Sequence, residues 1–495
     1  MLILTVDIGT SSVRVLLFDA HGRSVAGVQG SAEQTLHTTP DGGAELDADD
    51  LVERVVSCVE EALQRAGDRA RHIAGVAVTT FWHSIVGVDA QGHALTPINL
   101  WADTRSVREV EELKRRLDER AVHARTGCVF HTSYPPAKIL WFRRVLPEAC
   151  RRVRWWMSPG EYLFLRLFGE TRCSVSMASG TGLFNHARLD WDEEMLTALS
   201  LTRDNLAPLS LHLAPLRGIT GEYAPRLHAL RDVPWFPAVG DGACSNVGCG
   251  AVTPDRIALM VGTSGAMRVM YESGEPRAPF GLWCYRADAR RFLLGGALSN
   301  GGNVFSWMRQ TLRLDDDLET RLSQMPPDAH GLTVLPFLAG ERSPDWRGDA
   351  RAAIAGLSWN TEPIHILRAG LEAVAYRFAL IRELLRDEAF GGRMKGSRAD
   401  VQPSSIIATG GALLHSPTWM QMMADVLGEP VVESREAEAS SRGAALLALE
   451  ALGSLPSLRD ASFAFGRTYE PNRAYHERYR AARERQQELY RKLMG

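Results

Sequence analysis

The stretch "LTVDIGTSSVRVLLFDAHG", residues 4–22, decides how this chain is read. Apolar residues run up to Val6 and resume from Val13 to Phe18; between them stands Asp7-Ile8-Gly9-Thr10-Ser11-Ser12. Two extended runs around a polar turn read as a β-hairpin. The glycine lets backbone approach a ligand closely, and turn N–H groups and hydroxyls add donors for an anion such as phosphate. Beside a polyphosphate, Asp7 makes physical sense only through a metal ion, with Mg²⁺ the natural choice. Arg14 is placed to reach a phosphate oxygen. On these residues alone, a phosphate cradle and a plain solvent-exposed turn capped by its hydroxyls are evenly matched.

Outward from the hairpin, "DADDLVERVVSCVEEAL" (47–63) carries Leu51, Val52, Val55, Val56, Val59, Ala62 and Leu63 at helical spacing, with Asp47 or Asp49 as N-cap. "IAGVAVTT" (73–80) reads as a buried strand, and strand, strand, helix, strand means mixed α/β layers. A second series opens near residue 256 with "RIALMVGTSGAMRVMYES", where Gly262-Thr263-Ser264 echoes Gly9-Thr10-Ser11 at a spacing of 253 residues. A helix over about 363–387, a strand at 404–411, a helix from Ser416-Pro417, the strand "PVVES" and the helix "SSRGAALLALEALG" follow. The chain therefore divides into two α/β halves, 1–243 and 244–495, each opening with the same hairpin. The Gly-rich, charged segment 386–403 reads as a surface loop.

Gross composition narrows the class. A chain of 495 residues suggests about two to four domains. Its 45% apolar and 23% charged content is that of an ordinary globular protein. A formal net charge of −3 predicts neither nucleic acid nor an acidic membrane as partner, while small anionic ligands need only a local site. "MLILTV" lacks a basic region and stops at Asp7, so no signal peptide is expected, and no apolar run approaches the ~20 residues of a membrane span. Seven cysteines form no C-x-x-C pair, and Cys244 and Cys249 lack the partners of a zinc site; reduced thiols in a cytoplasmic protein are expected. None of Lys114, Lys138, Lys395 and Lys492 follows a glycine, which removes the P-loop. No G-x-G-x-x-G opens a helix after the first strand, and G-x-S-x-G and H-E-x-x-H are absent.

With these alternatives removed, the chain resembles the FGGY carbohydrate kinases over essentially its whole length. "DIGTSSVR" (7–14) is similar to the family's N-terminal phosphate hairpin. "SYPPAKILWFRRV" (133–145) follows the first family signature through Ser133, Pro135, Lys138, Ile139 and Trp141, and departs at Val145. "AAIAGLSWNTEPIHILRAGLE" (352–372) follows the second through Gly356, Leu357, His365, Ile366, Ala369 and Glu372, and departs at Gly370. The resemblance implies two actin-like, ribonuclease-H-like α/β domains, mixed sheets flanked by helices, with a cleft between them. It also implies transfer of the ATP γ-phosphoryl group to a carbohydrate hydroxyl, with ATP and Mg²⁺ as the groups bound. "TGCVFHTSYPPAKILWFR", "PGEYLFLRLFGE", "SMASGTGLFN", "DRIALMVGTSGAMR" and "SNGGNVFSWMR" are most similar to gluconate-phosphorylating members, so gluconate to 6-phosphogluconate is the expected reaction. Xylulose, glycerol or another polyol or ketose is the alternative acceptor, and a non-catalytic actin-like sugar sensor the alternative class. Asp7 and Asp241 together argue against the sensor, which needs no base.

The resemblance also implies roles. Asp241, in "AVGDGACSNVGCGA", matches the catalytic base, between two glycines that would let a substrate approach; alone, Asp-Gly is an ordinary turn. Trp82 and His83 follow the 73–80 strand, and "NLWADTRS" supplies Trp101, Asp103 and Arg105. His83 and Asp103 suit sugar hydroxyls, Arg105 a carboxylate, and a Trp an apolar sugar face. Core packing for Trp101 and an Asp103–Arg105 pair are the competing readings. Gly9, Thr10, Ser11, Ser12 and Arg14, with Gly262 and Thr263, are expected on the ATP phosphates, and Asp7 on Mg²⁺ through water. Gly302 is the expected close-packed glycine beneath the nucleotide, with Ser306 on the same helix. Gly410 and Gly411 offer bare backbone to adenosine, and His415 faces the adenine. "GERSPDW" (340–346) is expected to be structural, Arg342 pairing with a nearby acid. The partners are small molecules, and a homodimer is the assembly to test.

Overall fold

The computed structural model describes residues 1–211, 213–273, 278–387 and 405–495. The opening hairpin forms as expected. Strands Leu2–Ile8 and Ser12–Asp19 pair antiparallel, with Asp7 opposite Arg14 and Ile8 opposite Val13. Ser24–Glu33 extends the hairpin antiparallel on one side; Ile73–Thr80 and then Trp235–Gly240 continue it in parallel on the other. Helix Ala48–Ala66 covers one face of this five-stranded sheet, and its predicted cap is made: the Asp47 side chain accepts the Asp50 N–H.

The second half repeats the plan. Arg256–Val261 and Gly265–Glu272 form the hairpin, Arg291–Leu298 extends it antiparallel, and Ser405–Thr409 and Val431–Ser434 continue it in parallel. Trp283–Arg286 and Phe465–Tyr469 are added at the two edges of this seven-stranded sheet. Both halves thus share one strand order, and the echo at 262–264 marks a structural repeat. The long helix spans Pro363–Asp387; Ser416 caps the next one by accepting the Trp419 N–H, with Pro417 at its first position. Positions 388–403 of the expected loop lie outside the described residues.

Two helices join the halves. Asp241–Gly248 follows the last strand of the first sheet, and Ala439–Ala451 the last parallel strand of the second. They pack against each other, and the Ala439–Ala451 helix also lies on strands Leu2–Ile8 and Ile73–Thr80 of the first sheet. The division expected between residues 243 and 244 therefore falls inside a helix, and part of the second half completes the first core. The seven cysteines are free thiols, and no helix among the described residues is long and apolar enough to cross a membrane.

Candidate active site

The repeated topology puts the C-terminal ends of both sets of parallel strands around one cleft, where open α/β sheets bind ligands. A cavity of about 190 Å³ lies there, lined from the first half by Thr10, Trp82, His83, Trp101, Tyr134 and Asp241. The second half adds Arg268, Trp283, Tyr285, Arg342 and Trp346. The volume lies below the roughly 300 Å³ at which drug-sized pockets begin, so it suits a small molecule.

Asp241 is the first residue of its helix, directly after the Trp235–Gly240 strand. Its Oδ1 accepts the Gly242 N–H at 2.7 Å. Burial raises its pKa above the usual carboxylate range, with Arg268 pulling the other way. The flanking glycines have a different reason from the one expected. A Cβ on Gly240 would lie 1.9 Å from the Trp82 ring, and one on Gly242 would lie 2.4 Å from the Arg268 guanidinium. They make room for two protein side chains against the backbone rather than for substrate.

Trp82 is fixed by its Nε1–H donating to the Ser176 carbonyl at 2.9 Å. His83 adopts a left-handed backbone, φ 69°, and its Nδ1 lies 2.6 Å from the Gly180 carbonyl. A carbonyl only accepts, so Nδ1 carries the proton and Nε2 is left as an acceptor. Burial pushes the His83 pKa down to about 3, which keeps the ring neutral. Trp101 donates from Nε1 to the Thr10 hydroxyl at 3.2 Å, linking this wall of the cleft to the first hairpin. Tyr134 and Tyr285 meet hydroxyl to hydroxyl at 2.6 Å across the two halves.

Asp103 and Arg105 do not reach this cavity. Arg105 donates to both Asp103 oxygens and pairs with Glu45, and its guanidinium stacks 4.2 Å over Trp141. Asp103 also accepts the Ala44 N–H at 2.9 Å. The expected substrate contacts at these two positions are corrected to a buried ion-pair network. The cationic groups in the cavity are Arg268 and Arg342 instead. Arg268 is buried and Arg342 half-buried, neither has a carboxylate within ion-pair distance among the described residues, and the buried Nε of each has no acceptor. Arg342 donates to the Leu298 carbonyl at 3.2 Å and lies 5.3 Å from the Trp101 ring. Arg342 was expected to pair with a nearby acid, but the two acids of its segment face elsewhere, Glu341 to Arg377 and Tyr490 and Asp345 to Arg377. Arg268 had a legible signal, a charge inside the otherwise apolar strand "GAMRVMY". The exposure of Arg342, Tyr285 and Trp346 to the cleft depends on contacts distant in sequence.

Each hairpin turn is closed by its glycine, Gly9 N–H to the Ser12 carbonyl at 2.9 Å and, in a turn one residue shorter, Gly262 N–H to the Ser264 carbonyl at 3.0 Å. The Gly302 N–H is likewise spent, on the Gly262 carbonyl. These glycines therefore shape the cradle without donating to a phosphate. The N–H groups of Thr10, Ser11 and Thr263 have no acceptor among the described residues and are the donors on offer. A Cβ on Gly302 would lie 2.6 Å from the Gly262 carbonyl, and one on Gly410 2.4 Å from that of Val261. Gly262, Gly302 and Gly410, from three separate stretches, thus form one backbone platform, with Gly411, Ser306 and His415 exposed beside it. Arg14, expected on the phosphates, is half-exposed; it pairs with Glu438 at 2.8 Å and lies 3.8 Å from Asp7.

Asp7 is buried and accepts from the Ser441 hydroxyl at 3.3 Å. Burial pushes its pKa up to about 6, with Arg14 opposing and the nearby Asp241 charge adding to the rise. A hard carboxylate held uncomfortably as an anion, near enough to Asp241 to feel its charge, fits a Mg²⁺ ion. The spacing of 253 maps Asp7 onto Met260, so the repeat offers this donor on the first hairpin alone. A second group with ligand-like spacing, Asp328, His330 and Glu372, does not fit a metal. Glu372 is filled by Arg368, His330 and Tyr376, and Asp328 by Arg485.

Comparison with known proteins agrees with this geometry. The sequence models of the FGGY family of carbohydrate kinases match residues 2–248 (N-terminal domain) and 257–452 (C-terminal domain). A gluconokinase of Bacillus subtilis (strain 168) is 30% identical over 479 residues, covering 94% of this chain and 90% of that protein. A xylulose kinase of Escherichia coli (strain K12) is 27% identical over 430 residues, covering 86% and 84%. The crystal structure of gluconate kinase from Lactobacillus acidophilus superposes with a TM-score of 0.88 at 28% identity, covering 99% of this chain and 98% of that one. A ligand-bound xylulose kinase from the same organism gives the same TM-score and identity. With both domain models matched in order around one cleft, the chain belongs to the FGGY family of carbohydrate kinases and is an ATP-dependent sugar kinase.

Proposed function

We propose that the acceptor is a sugar acid, gluconate, phosphorylated to 6-phosphogluconate in the cytoplasm. The observation that carries this reading is Arg342, a half-buried cation on the cavity wall whose buried Nε has no acceptor and which has no acidic partner among the described residues. A buried unpaired charge is costly, and a substrate carboxylate would relieve it. A neutral polyol or ketose would leave it unmet. In this reading Arg342 takes the carboxylate that sequence reasoning had given to Arg105. The neutral His83 accepts a hydrogen bond from an acceptor hydroxyl at Nε2, and Trp101 packs on the apolar face of the carbon chain.

Transfer then follows from placement. Asp241 removes the proton from the acceptor hydroxyl as its oxygen forms the new bond to the γ-phosphorus and the bond to the β-phosphate oxygen breaks. Its raised pKa brings it nearer to the proton it must take. Thr10, Ser11 and Thr263 hold phosphate oxygens through their N–H groups, and Arg268 steadies charge beside Asp241. Asp7 would hold Mg²⁺ through water; the ion when bound neutralises phosphate charge.

An ADP-release assay over gluconate, other aldonates, xylulose and glycerol tests the assignment. Gluconate is expected to give the highest kcat/KM. Arg342→Met is expected to raise its KM by on the order of a hundredfold, the usual cost of removing one partner of a buried charge pair. Turnover of xylulose without gluconate, or an unchanged KM in the variant, overturns the sugar-acid reading.

A further inference from the structure

Lys138 is a signature lysine that the chemistry above leaves unused. It lies on helix Pro135–Val145, whose N-cap residue Tyr134 lines the cavity. The residue is 1% exposed. Its amine donates to the carbonyls of Leu100 at 2.6 Å, His83 at 2.9 Å and Asn99 at 3.4 Å. No carboxylate among the described residues pairs with it; Asp103, the acid whose charge it feels, is held by Arg105. Burial pulls its pKa down to about 7. An ammonium has three N–H donors and no acceptor, so three converging carbonyls match it.

These carbonyls belong to two separate segments, one at residue 83 and one at residues 99–100. One follows the Ile73–Thr80 strand and carries His83; the other precedes Trp101. We propose that Lys138 is a positioning residue for the carbohydrate acceptor: its amine ties the two segments together and so fixes His83 and Trp101 in the cavity wall. The tie is needed because His83, a non-glycine residue with φ 69°, sits in a costly backbone conformation that persists only when its surroundings impose it. The same segments are also joined by Ile85 and Asn99, which exchange backbone hydrogen bonds at 3.1 and 2.9 Å, and by the Trp101 N–H donated to the Ser84 hydroxyl at 3.2 Å; the amine is the tie that holds the His83 carbonyl itself. Without the amine the His83 carbonyl loses its donor and the residue is free to relax, while the Asn99 and Leu100 carbonyls keep the Ile85 and Asp103 N–H groups.

The inference rests on the carbohydrate-kinase activity and not on which acceptor is used. Kinetics are measured with gluconate, or with xylulose if wild type turns over that alone, so failure of the sugar-acid reading leaves the test intact. Lys138→Met, similar in length but without donors, is expected to raise acceptor KM by about tenfold or more. ATP KM stays within about twofold and kcat falls less than acceptor kcat/KM. Lys138→Gln, which keeps a shorter NH₂ donor, is expected to fall between. A purely structural lysine would lower Tm and move both KM values together, or neither, and either result overturns the proposal. Should Lys138→Met fail to fold, Lys138→Gln decides: an acceptor KM equal to wild type sinks it.

Discussion

Asp7, near the end of strand Leu2–Ile8, and Asp241, just past the end of Trp235–Gly240, flank strand Ile73–Thr80, yet their burial has different consequences. Asp241 keeps a backbone N–H and the field of Arg268; Asp7 is pushed to about 6 against the pull of Arg14. A carboxyl whose folded pKa is raised costs stability as pH climbs from its unfolded value to its folded one. For Asp7 that window runs from 3.8 to about 6, and the full cost, about 3 kcal/mol, applies above it. Asp7→Asn is therefore expected to raise the Tm of the nucleotide-free protein in EDTA by a few degrees at pH 8, with the gap closing below pH 4. The same substitution should cut turnover by about a hundredfold or more. Asp241→Asn is expected to lose turnover similarly while still binding ATP, as for a lost general base. Calorimetry across pH beside steady-state kinetics checks both; an Asp7→Asn protein less stable than wild type at pH 8 would refute the strain assigned to Asp7.

At the scale of elements, the helices Asp241–Gly248 and Ala439–Ala451 matter most, because the first begins with Asp241 itself. They approach closely enough that a Cβ on Gly443 would lie 1.8 Å from the Cys244 carbonyl, and one on Gly248 1.8 Å from that of Ala439. Backbone cannot yield as a side-chain tip can, so Gly443→Ala must push the helices apart. Overpacking of this kind costs about 1–3 kcal/mol or more. The expected outcome is a lower Tm together with reduced turnover, since the displaced helix carries Asp241; a variant with wild-type Tm would show that the contact is not tight. This pairing also marks where the sequence stops being legible. The hairpins, the Asp47 and Ser416 caps and the strand series follow from residues within one turn of each other, and all are found where expected. Asp103 and Arg105 were misassigned because their partner Glu45 stands some sixty residues earlier, on another strand. Arg342 was misassigned because its adjacent acid faces Arg377 and Tyr490 instead. Local pattern gives the element; which way a long charged side chain turns is decided by what the other half brings to it.

For the whole molecule, the repeat suggests two independent domains, but the core argues otherwise. One face of the first sheet is covered by its own helix Ala48–Ala66, the other by Ala439–Ala451 from nearly two hundred residues after the second hairpin begins. Leu446, Leu447, Leu449 and Leu458 are buried in the same cluster as Ile3, Val6, Val76 and Val78. Burying a leucine contributes about 1.5–3 kcal/mol. Four of them match the whole net stability of a typical domain, about 5–15 kcal/mol. A fragment of residues 1–256 retains every strand of the first sheet and loses this cover. It is expected to show far-ultraviolet helix and strand signal without a cooperative thermal transition, and to bind hydrophobic dyes. Adding residues 405–495 as a separate chain is expected to restore cooperativity only in part, because the Ala439–Ala451 helix is itself anchored in the second sheet. Cooperative unfolding of the fragment alone, with the near-ultraviolet spectrum of a packed core, would show that the first half folds independently and that the helix only docks onto it.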